Sequence, residues 1–457
     1  MTDRNHDSLN NSYNSNEKMT KNDIRFRENL YRLIVSQLFY DGYQHVAVGL
    51  SAAIQANPPC PPSNRLLNIV KNALQNEQLN LSDSKEDFEL KKMTNGEYDS
   101  STGLDFDYES DKNPTSPDAS QYETCYVTSH KAPCRTAAFD PQGTVIATGS
   151  VDASIKILDI ERMLAKSALL HDQISSSDQT GQLSAENHPV IRTLYDHADE
   201  ITTLAFHPYE PILASGSRDY TVKFFEYAKP STKKAFKTIQ ESEQVRCISF
   251  HPNGDWLLVS TQHPTLRLYR VETSQCFVSS NPSDQHKLPV TSVEWSPNAR
   301  VFATSSKDGS IKIWDSVSNK CINTFADAHG HQEVCSVQFS KNSKYLISSG
   351  KDSVVRLWEL STARCLIAYT GAGSAGKQEK RTQAIFNHTE DYIFYPDEKT
   401  TTLCCWDSRN AERQKLLALG HNGVVKSIVH SPNFPQFITC SDDFRARFWS
   451  KKAALGE

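Results

Sequence analysis

The sequence predicts an all-β, seven-bladed β-propeller that follows a small all-α N-terminal domain. After residue 123 the chain repeats a pattern in which an Asp precedes an aromatic residue by six positions, as Asp308 precedes Trp314. Seven aligned copies recur, and all steps but the first are 43 to 48 residues, which is the period of a propeller blade. Before the repeats, residues 22 to 76 show the apolar periodicity of amphipathic helices.

Each blade is predicted to contain a buried network of a His, an Asp and the aromatic residue. In five copies a His precedes the Asp by 21 or 22 residues, and the two copies without the Asp have Glu241 and Gln378 in place of the His. A half-satisfied buried network is unfavourable, so its members are expected to be kept or lost together. Because this structural role explains them, we predict no catalytic residue, metal site or cofactor. The predicted network residues are His130, Asp152, His197, Asp219, His286, Asp308, Trp314, His331, Asp352, Trp358, His421, Asp443 and Trp449.

The copies resemble WD40 repeats. Residues 216 to 226 read GSRDYTVKFFE and residues 306 to 315 read SKDGSIKIWD, which is the form of that repeat. The resemblance covers about residues 123 to 450. Only eight residues follow Trp449, too few for the outer strand of the seventh blade. An extended segment at residues 123 to 129 is therefore expected to pair with the last repeat and close the ring.

Residues 22 to 76 are predicted to form a helical dimerisation domain, with helices over residues 22 to 40, about 43 to 55, and 64 to 75. Three short helices bury little apolar surface alone, so association of two copies is favoured. The segment resembles the LisH class of self-associating helical motifs. Dimer contacts are accordingly expected from Leu30, Leu33, Ile34, Leu38, Tyr43, Ala47 and Leu50.

Three segments are predicted to lie outside both domains. Residues 1 to 21 are rich in Asn and Ser and are expected to form a disordered tail. Residues 77 to 122 are expected to form an acidic, disordered linker, because residues 77 to 123 hold thirteen acidic residues against four Lys. The first step between copies is 67 residues, and we assign the excess to an insertion at residues 164 to 189 that loops out of the ring.

The composition gives no sign of a dedicated nucleic-acid binder, a metal-binding protein or a membrane protein. The formal net charge of the chain is −5 and, without the acidic linker, only about +4, which is too mild for a dedicated nucleic-acid binder. The eleven Cys include no C-x-x-C pair, so neither a zinc site nor a disulfide framework is predicted. No stretch approaches the length of an apolar membrane span.

A set of cations is the candidate partner-binding rim. Arg218, Lys307, Lys351 and Lys399 each stand immediately before the aligned Asp or Thr, which places them on the same turn of four blades. Such a ring of cations favours an acidic or phosphorylated peptide. Ordinary solvated turn residues are the alternative, and the sequence leaves both open.

Two other motifs suggest different functions. Residues 371 to 377 fit the G-x-x-x-x-G-K nucleotide loop, but Gln378 occupies the position of the magnesium-binding Ser or Thr. The segment also lies between two blades, so we predict no enzyme. Residues 406 to 409 read WDSR, the W-D-x-R pattern of WD40 receptors of cullin ubiquitin ligases, to which only Arg409 adds information.

Almost the whole chain resembles the family of WD40 subunits of cleavage stimulation factor. The likeness rests on NLYRLIVSQLFYDGYQHVA at residues 29 to 47, PPCPP at 58 to 62, the acidic linker and LCCWDSR at 403 to 409. It implies a nuclear, homodimeric scaffold in 3′-end cleavage and polyadenylation of pre-mRNA. The implied partners are a helical-repeat scaffold subunit, through it the RRM subunit that reads RNA, and the RNA polymerase II tail, with RNA contacted mainly indirectly. The alternative is another LisH–WD40 adaptor, such as a cullin ubiquitin-ligase substrate receptor or a corepressor scaffold.

Overall fold

A computed structural model of the chain describes residues 21–53, 62–63, 66–67, 104, 106, 114–175, 188–229, 233–373 and 378–452. The chain divides into two compact units, residues 1–97 and 98–457. The predicted tail at residues 1 to 21 lies outside the described residues except for its last member.

The N-terminal unit contains two helices, α1 over Lys21–Tyr40 and α2 over Gln44–Ala53. Gly42, between them, has a φ of 85°, a conformation that favours glycine and ends the first helix. Val35 and Ala47 are fully buried. Of the predicted third helix over residues 64 to 75, only residues 66 and 67 are described, and both are helical.

The second unit is a propeller of seven four-stranded antiparallel blades, which confirms the predicted fold class. Strands in the middle of a blade are mostly buried, and Tyr345–Gly350 is buried along its whole length, because a blade has neighbours on both faces. The strands are β1 (Tyr122–Ser129), β2 (Cys134–Phe139), β3 (Val145–Ser150), β4 (Ile155–Asp159), β5 (Val190–Leu194), β6 (Ile201–Phe206), β7 (Ile212–Ser217), β8 (Thr221–Glu226), β9 (Lys237–Gln240), β10 (Val245–Phe250), β11 (Trp256–Thr261), β12 (Arg267–Arg270), β13 (Cys276–Phe277), β14 (Val290–Trp295), β15 (Val301–Ser306), β16 (Ile311–Asp315), β17 (Cys321–Phe325), β18 (Val334–Phe339), β19 (Tyr345–Gly350), β20 (Val355–Glu359), β21 (Arg364–Tyr369), β22 (Ile385–Phe386), β23 (Tyr392–Pro396), β24 (Thr402–Asp407), β25 (Leu417–Ala418), β26 (Val425–His430), β27 (Gln436–Ser441) and β28 (Arg445–Lys451).

The two ends of the propeller sequence meet in one blade. From β2 onward, each group of four consecutive strands forms a blade, and β26, β27 and β28 take β1 as the fourth strand of blade seven. β1 runs antiparallel to β28 and pairs Thr128 with Ala446. Tyr122, at the start of β1, is 1% exposed, and its ring centre lies 5.0 Å from that of Phe437. This pairing closes the ring and covers the edge of β28.

The insertion in blade one begins with a helix rather than a loop. Helix α3 spans Ile160–Ser175 and follows β4 directly. Met163 is fully buried and Leu164 packs against the apolar cluster shared by blades one and seven. The expectation that residues 164 to 189 loop out of the ring is therefore wrong at its start, because these side chains have helical spacing and an apolar surface to cover. Residues 176–187 lie outside the described residues.

Part of the acidic linker packs on the propeller, so the prediction that residues 77 to 122 form a disordered tether is wrong there. Leu104 is fully buried and donates its N–H to Glu390 Oε2 at 2.9 Å. The ring of Phe106 meets that of Tyr345 edge-on, 5.3 Å between centres. A 3-10 turn at Ala119–Gln121 then leads into β1. These contacts are made by single apolar residues in an acidic stretch. The average composition of the stretch is acidic, so it does not reveal them.

Candidate functional site

Four side chains form the buried network of blade four. His286 Nδ1 lies 3.2 Å from Asp308 Oδ2, and its Nε2 lies 2.7 Å from Thr304 Oγ1. The indole N–H of Trp314 donates to the same hydroxyl at 2.9 Å. The His–Asp contact recurs between His197 and Asp219 at 2.7 Å, and between His421 and Asp443 at 2.9 Å.

The protonation states of the network follow from its surroundings. Burial would raise the pKa of Asp308, but the bonds from His286 and Ser310 outweigh it and hold that pKa below its ordinary value. Burial lowers the pKa of His286 although Asp308 opposes this. A neutral imidazole therefore donates from Nδ1 to an ionised carboxylate and accepts the Thr304 hydroxyl proton at Nε2.

The hydroxyl residue that joins the imidazole to the indole is missing from the sequence prediction. In the three blades with a network Trp, the indole N–H donates over 2.8 to 3.0 Å to a Ser or Thr oxygen. That residue stands ten positions before the Trp in each of the three blades, so an alignment of the repeats could have predicted it. The pairs are Thr304 with Trp314, Ser348 with Trp358, and Thr439 with Trp449.

In blade five the network uses His329, and the prediction of His331 is wrong. His329 Nδ1 lies 2.8 Å from Asp352 Oδ1, and its Nε2 lies 2.8 Å from Ser348 Oγ. The His331 side chain is 86% exposed and approaches Asp327 instead. The turn before blade five is one residue longer than the corresponding turn of the other blades that have the network. The spacing from His331 to Asp352 is close to the 22 residues of the other copies, so the sequence alone does not show the longer turn.

The two histidines of blade five are expected to differ in their effect on stability. His329→Ala should lower the free energy of unfolding by about 2 kcal/mol, because it leaves the buried Ser348 hydroxyl and the Asp352 carboxylate short of a partner. His331→Ala should change it by less than about 0.5 kcal/mol. Urea unfolding of both variants at neutral pH measures this difference, and an equal loss in both would contradict the assignment.

Blade one has a looser form of the network, and blades three and six replace it. His130 Nδ1 is 3.6 Å from Asp152 Oδ2. In blade three, Glu241 stands where a His is expected and accepts the Tyr269 hydroxyl at 2.7 Å. In blade six, buried Gln378 accepts from a Thr hydroxyl at 2.6 Å, so this residue has a structural role. The nucleotide-loop motif before it lies mostly outside the described residues.

The inner strands of six blades and the loop before β22 of blade six line a cavity of about 470 Å³ at one end of the central channel. We call this end the basic mouth, because eight of its lining side chains are cationic. Among them are three of the four predicted rim residues. The eight cations are Arg135, Arg218, Arg246, Lys307, Lys351, Lys380, Arg381 and Lys426.

Lys399 lies on the equivalent turn of blade six, between β23 and β24, but unlike the other three rim residues it does not line the basic mouth. The loop before blade six occupies that position instead. Glu398 Oε2 accepts the backbone N–H groups of Glu379 and Lys380 at 2.8 and 3.0 Å. This bonding sets Lys380 and its neighbour Arg381 at the mouth in place of Lys399.

Six residues that were not predicted from the sequence line the basic mouth, and each of them lies at a β-bulge. In six blades the pairing of the first two strands shifts by one residue at the second position of the inner strand. A bulge disrupts the alternation of sides and redirects a side chain. The bulged residues, all of which line the cavity, are Arg135, Thr202, Arg246, Thr291, Cys335 and Lys426. In five of the six blades this residue is the fifth after the aligned His or Glu, which is the signal that could have found it.

Four carboxylates neutralise only part of the positive charge of the mouth: Glu379 is in its lining, and three others form ion pairs with its cations. Glu200 bridges Arg135 at 2.7 Å and Arg218 at 2.9 Å. Glu333 bridges Lys351 at 2.9 Å and Arg381 at 3.3 Å. Asp442 pairs with Lys426 at 3.3 Å and with Arg135. Within the described part of the chain, Arg246, Lys307 and Lys380 have no carboxylate in ion-pair range.

The cations of the basic mouth repel one another. Burial, followed by the nearby Arg381 guanidinium, lowers the pKa of Arg246 to about 10. Burial and the charge of Arg246 lower the pKa of Lys307, and burial and Arg135 lower that of Lys426. An anion bound here would relieve this repulsion, since crowded like charges favour a counter-charge in a partly desolvated cavity.

Two kinds of likeness to known proteins identify the chain. A family model described as the dimerisation domain of cleavage stimulation factor subunit 1 matches residues 22–78. The chain is also 36% identical over 431 residues to cleavage stimulation factor subunit 50 of Arabidopsis thaliana, which covers 93% of this chain and 96% of the relative. The chain belongs to this cleavage stimulation factor subunit family.

The repeats of the propeller also match a wider family. A model of the WD domain, G-beta repeat, matches residues 122–159, 189–226, 233–270, 279–315, 319–359 and 413–450. Blade six has no match, yet it has its four strands. COMPASS components SWD1 and SWD3 of Saccharomyces cerevisiae are 36% and 25% identical over 92 and 205 residues, which is 20% and 44% of this chain and 22% and 56% of theirs.

The predicted dimer residues of this family member lie on both helices of the N-terminal unit and, in the case of Tyr43, between them. Leu30 and Tyr43 are 47% and 62% exposed. Four others are half-buried, and Ala47 is buried within the unit. Neighbouring apolar side chains that the prediction did not include are also exposed, such as Tyr40 and Val46. Exposed apolar surface of this kind is typical of a protein interface. The half-buried residues are Leu33, Ile34, Leu38 and Leu50.

Within the described parts of the chain, no helix is long and apolar enough to cross a membrane. The same parts hold no group of three or more His, Cys, Asp or Glu side chains arranged for a metal ion.

Proposed function

We propose that this chain is a non-enzymatic scaffold subunit of cleavage stimulation factor that acts in the nucleus in 3′-end cleavage and polyadenylation of pre-mRNA. The observation that carries this proposal is the similarity to subunit 50 of that factor along 93% of the chain, helical domain and propeller together. Two surfaces serve the scaffold: the exposed apolar side chains of the N-terminal unit and the basic mouth of the propeller.

The two surfaces have complementary tasks in this proposal. Homodimerisation through the helical domain provides two propellers, and each basic mouth binds an acidic peptide of the helical-repeat scaffold subunit. That subunit carries the RRM subunit, so the dimer joins two RNA-reading modules. Linking modules in this way raises their effective concentration on a degenerate RNA element without any new contact. Contact of this chain with RNA is then mainly indirect.

Charge reversal tests the peptide site. The triple variant Arg218→Glu, Lys307→Glu, Lys351→Glu should bind acidic peptides of the scaffold subunit at least about tenfold more weakly, because attraction becomes repulsion in a partly desolvated cavity. Lys307→Glu alone should retain the fold best, since this Lys has no carboxylate partner within the described residues. Calorimetric titrations measure the affinities, and the loss should shrink at higher salt.

Lys399→Glu is the matched control for these variants. It makes the same change of charge in a turn residue outside the cavity, so the affinity should stay within about twofold of the unchanged chain. Full affinity of the triple variant would remove the peptide site from the proposal.

Affinity purification of the full-length chain from nuclear extract tests the complex. We expect mass spectrometry to recover the helical-repeat and RRM subunits. A chain without residues 1–80 should still recover the helical-repeat subunit but sediment with the mass of one propeller. Recovery of cullin adaptors or corepressor proteins instead would contradict the proposed function and leave the fold unaffected.

The structure gives no support to the cullin-receptor alternative. Its discriminating residue, Arg409, has a side chain that is only 12% exposed and pairs with Asp391 Oδ1 at 3.0 Å. The charge of Arg409 is therefore neutralised by an ion pair within blade six.

A further inference from the structure

Thr115 and Ser116, which lie ahead of the first strand, are both bound by one carboxylate of blade six, that of Asp391. Asp391 Oδ2 accepts the backbone N–H groups of Thr115 and Ser116 at 2.9 and 3.2 Å. It also accepts both of their hydroxyl groups, each at 3.2 Å. Four hydrogen bonds from two consecutive residues thus converge on one oxygen.

The attachment places Ser116 between two polar side chains of blade six. Its Oγ accepts from Asn387 Nδ2 at 2.6 Å while it donates to Asp391. Asp391 is 4% exposed, and its other oxygen pairs with Arg409. Burial would raise the pKa of Asp391, but bonds from Thr389 and Arg409 outweigh it, so the carboxylate is ionised at neutral pH.

Ser116 differs from the other serines of the chain that precede a proline. There are three such serines: Ser116, Ser296 and Ser431. Ser296 and Ser431 are 0% and 1% exposed, in turns between the first two strands of blades four and seven. Ser116 is half-buried; Pro114 and Thr115 before it are exposed, whereas Pro117 after it is buried. Local opening of this short segment presents Ser116 to an enzyme, whereas the other two require a blade to unfold.

We propose that Ser116 is a phosphorylation site for a proline-directed protein kinase, and that phosphate on it detaches the segment from blade six. The Ser116 oxygen attacks the γ-phosphorus of ATP, the bond from that phosphorus to the bridging oxygen breaks, and ADP leaves. The hydroxyl proton passes to a base of the kinase. The product replaces a hydrogen-bond donor to Asp391 with a group of charge near −2.

The segment phosphorylated at Ser116 cannot stay bound to blade six. A phosphate at Ser116 would face the Asp391 carboxylate at hydrogen-bond distance, and like charges in a poorly solvated site repel strongly. The phosphate would also exceed the space in which Asn387 Nδ2 now approaches the oxygen at 2.6 Å. Phosphorylation therefore releases residues 115 and 116 from blade six, while the separate contact of Leu104 with Glu390 is left unchanged.

The first test is modification of the full-length chain by a purified proline-directed kinase with ATP, with the phosphate mapped by mass spectrometry. We expect phosphate on Ser116 and none on Ser296 or Ser431, which serve as internal controls in the same molecule. Ser116→Ala should abolish the incorporation at this position. If the full-length chain stays unmodified at Ser116 while a synthetic peptide of residues 111–121 is phosphorylated, the proposal fails.

The second test measures detachment by hydrogen exchange of the amides of Thr115 and Ser116. Full-length chain carrying phosphoserine at position 116 should exchange these amides at least about tenfold faster than unmodified chain. Ser116→Ala keeps both backbone N–H bonds to Asp391 and should exchange within about threefold of the unmodified chain. Equal exchange in the phosphorylated and unmodified chains would overturn the detachment.

Discussion

A chain that starts at residue 130 is expected not to form a stable propeller, whereas a chain that starts at residue 98 folds cooperatively. The second chain keeps the whole compact unit, residues 98–457. The first lacks strand β1, so blade seven loses its outer strand and β28 becomes an unpaired edge, which is a site of aggregation. Thermal unfolding followed by circular dichroism, with sedimentation of both chains, measures the difference. Equal transitions in the two chains would show that β1 is dispensable for closure.

A pair of substitutions in β1 separates packing from strand pairing. Tyr122→Ala should lower the free energy of unfolding by about 3 kcal/mol, because a large buried aromatic side chain leaves a cavity. Its ring packs edge-on against Phe437 and, at 6.0 Å, against Phe394. Val127→Ala is the control on the same strand, where the side chain is 38% exposed, and it should cost less than about 1 kcal/mol.

The repeated part of the fold was predictable because seven copies of one pattern constrain each other. The His, Asp and Trp of blade four recur at fixed spacings, and a spacing that recurs reports a shared geometry. The same reliance on spacing caused the error in blade five. Two histidines, His329 and His331, both lie near the expected distance from Asp352, and only the three-dimensional turn decides between them.

The basic mouth was only partly predictable because strand alternation was assumed to be regular. Cations in turns, such as Lys307, follow from the alignment. Arg135, Arg246 and Lys426 enter the channel because each sits at a bulge, and a bulge depends on the hydrogen bonds of the pair of strands rather than on the residue itself.

The docked part of the linker was hidden by its composition. Thirteen acidic residues dominate the average over residues 77 to 123, and an average of this kind predicts disorder. Docking depends instead on individual residues that meet a complementary surface, as Leu104 meets Glu390 through its N–H and Ser116 meets Asp391. That surface comes from blades more than two hundred residues away, so no local pattern contains it.

Moderate acid is expected to destabilise the propeller because several of its histidines are held neutral. Burial lowers the pKa of the network histidines His286, His329 and His421. Burial and the Lys341 ammonium lower the pKa of His388 to about 4. In the unfolded chain these side chains take up protons near pH 6.5. Below that pH the unfolded state binds more protons than the folded state, so the free energy of unfolding falls with decreasing pH.

The contribution of His430 to this fall in the free energy of unfolding is the best defined. Burial, partly opposed by its bond to the Ser431 carbonyl, lowers the pKa of His430 to about 3. With an unfolded value near 6.5, His430 alone should remove about 2 kcal/mol of stability between about pH 7.5 and pH 5. His430→Gln does not titrate, so its urea unfolding should lose about 2 kcal/mol less over that interval than the unchanged chain does. The exposed-site control His331→Gln should show the full loss, and the same loss in His430→Gln would mean that the imidazole of His430 is protonated in the folded state.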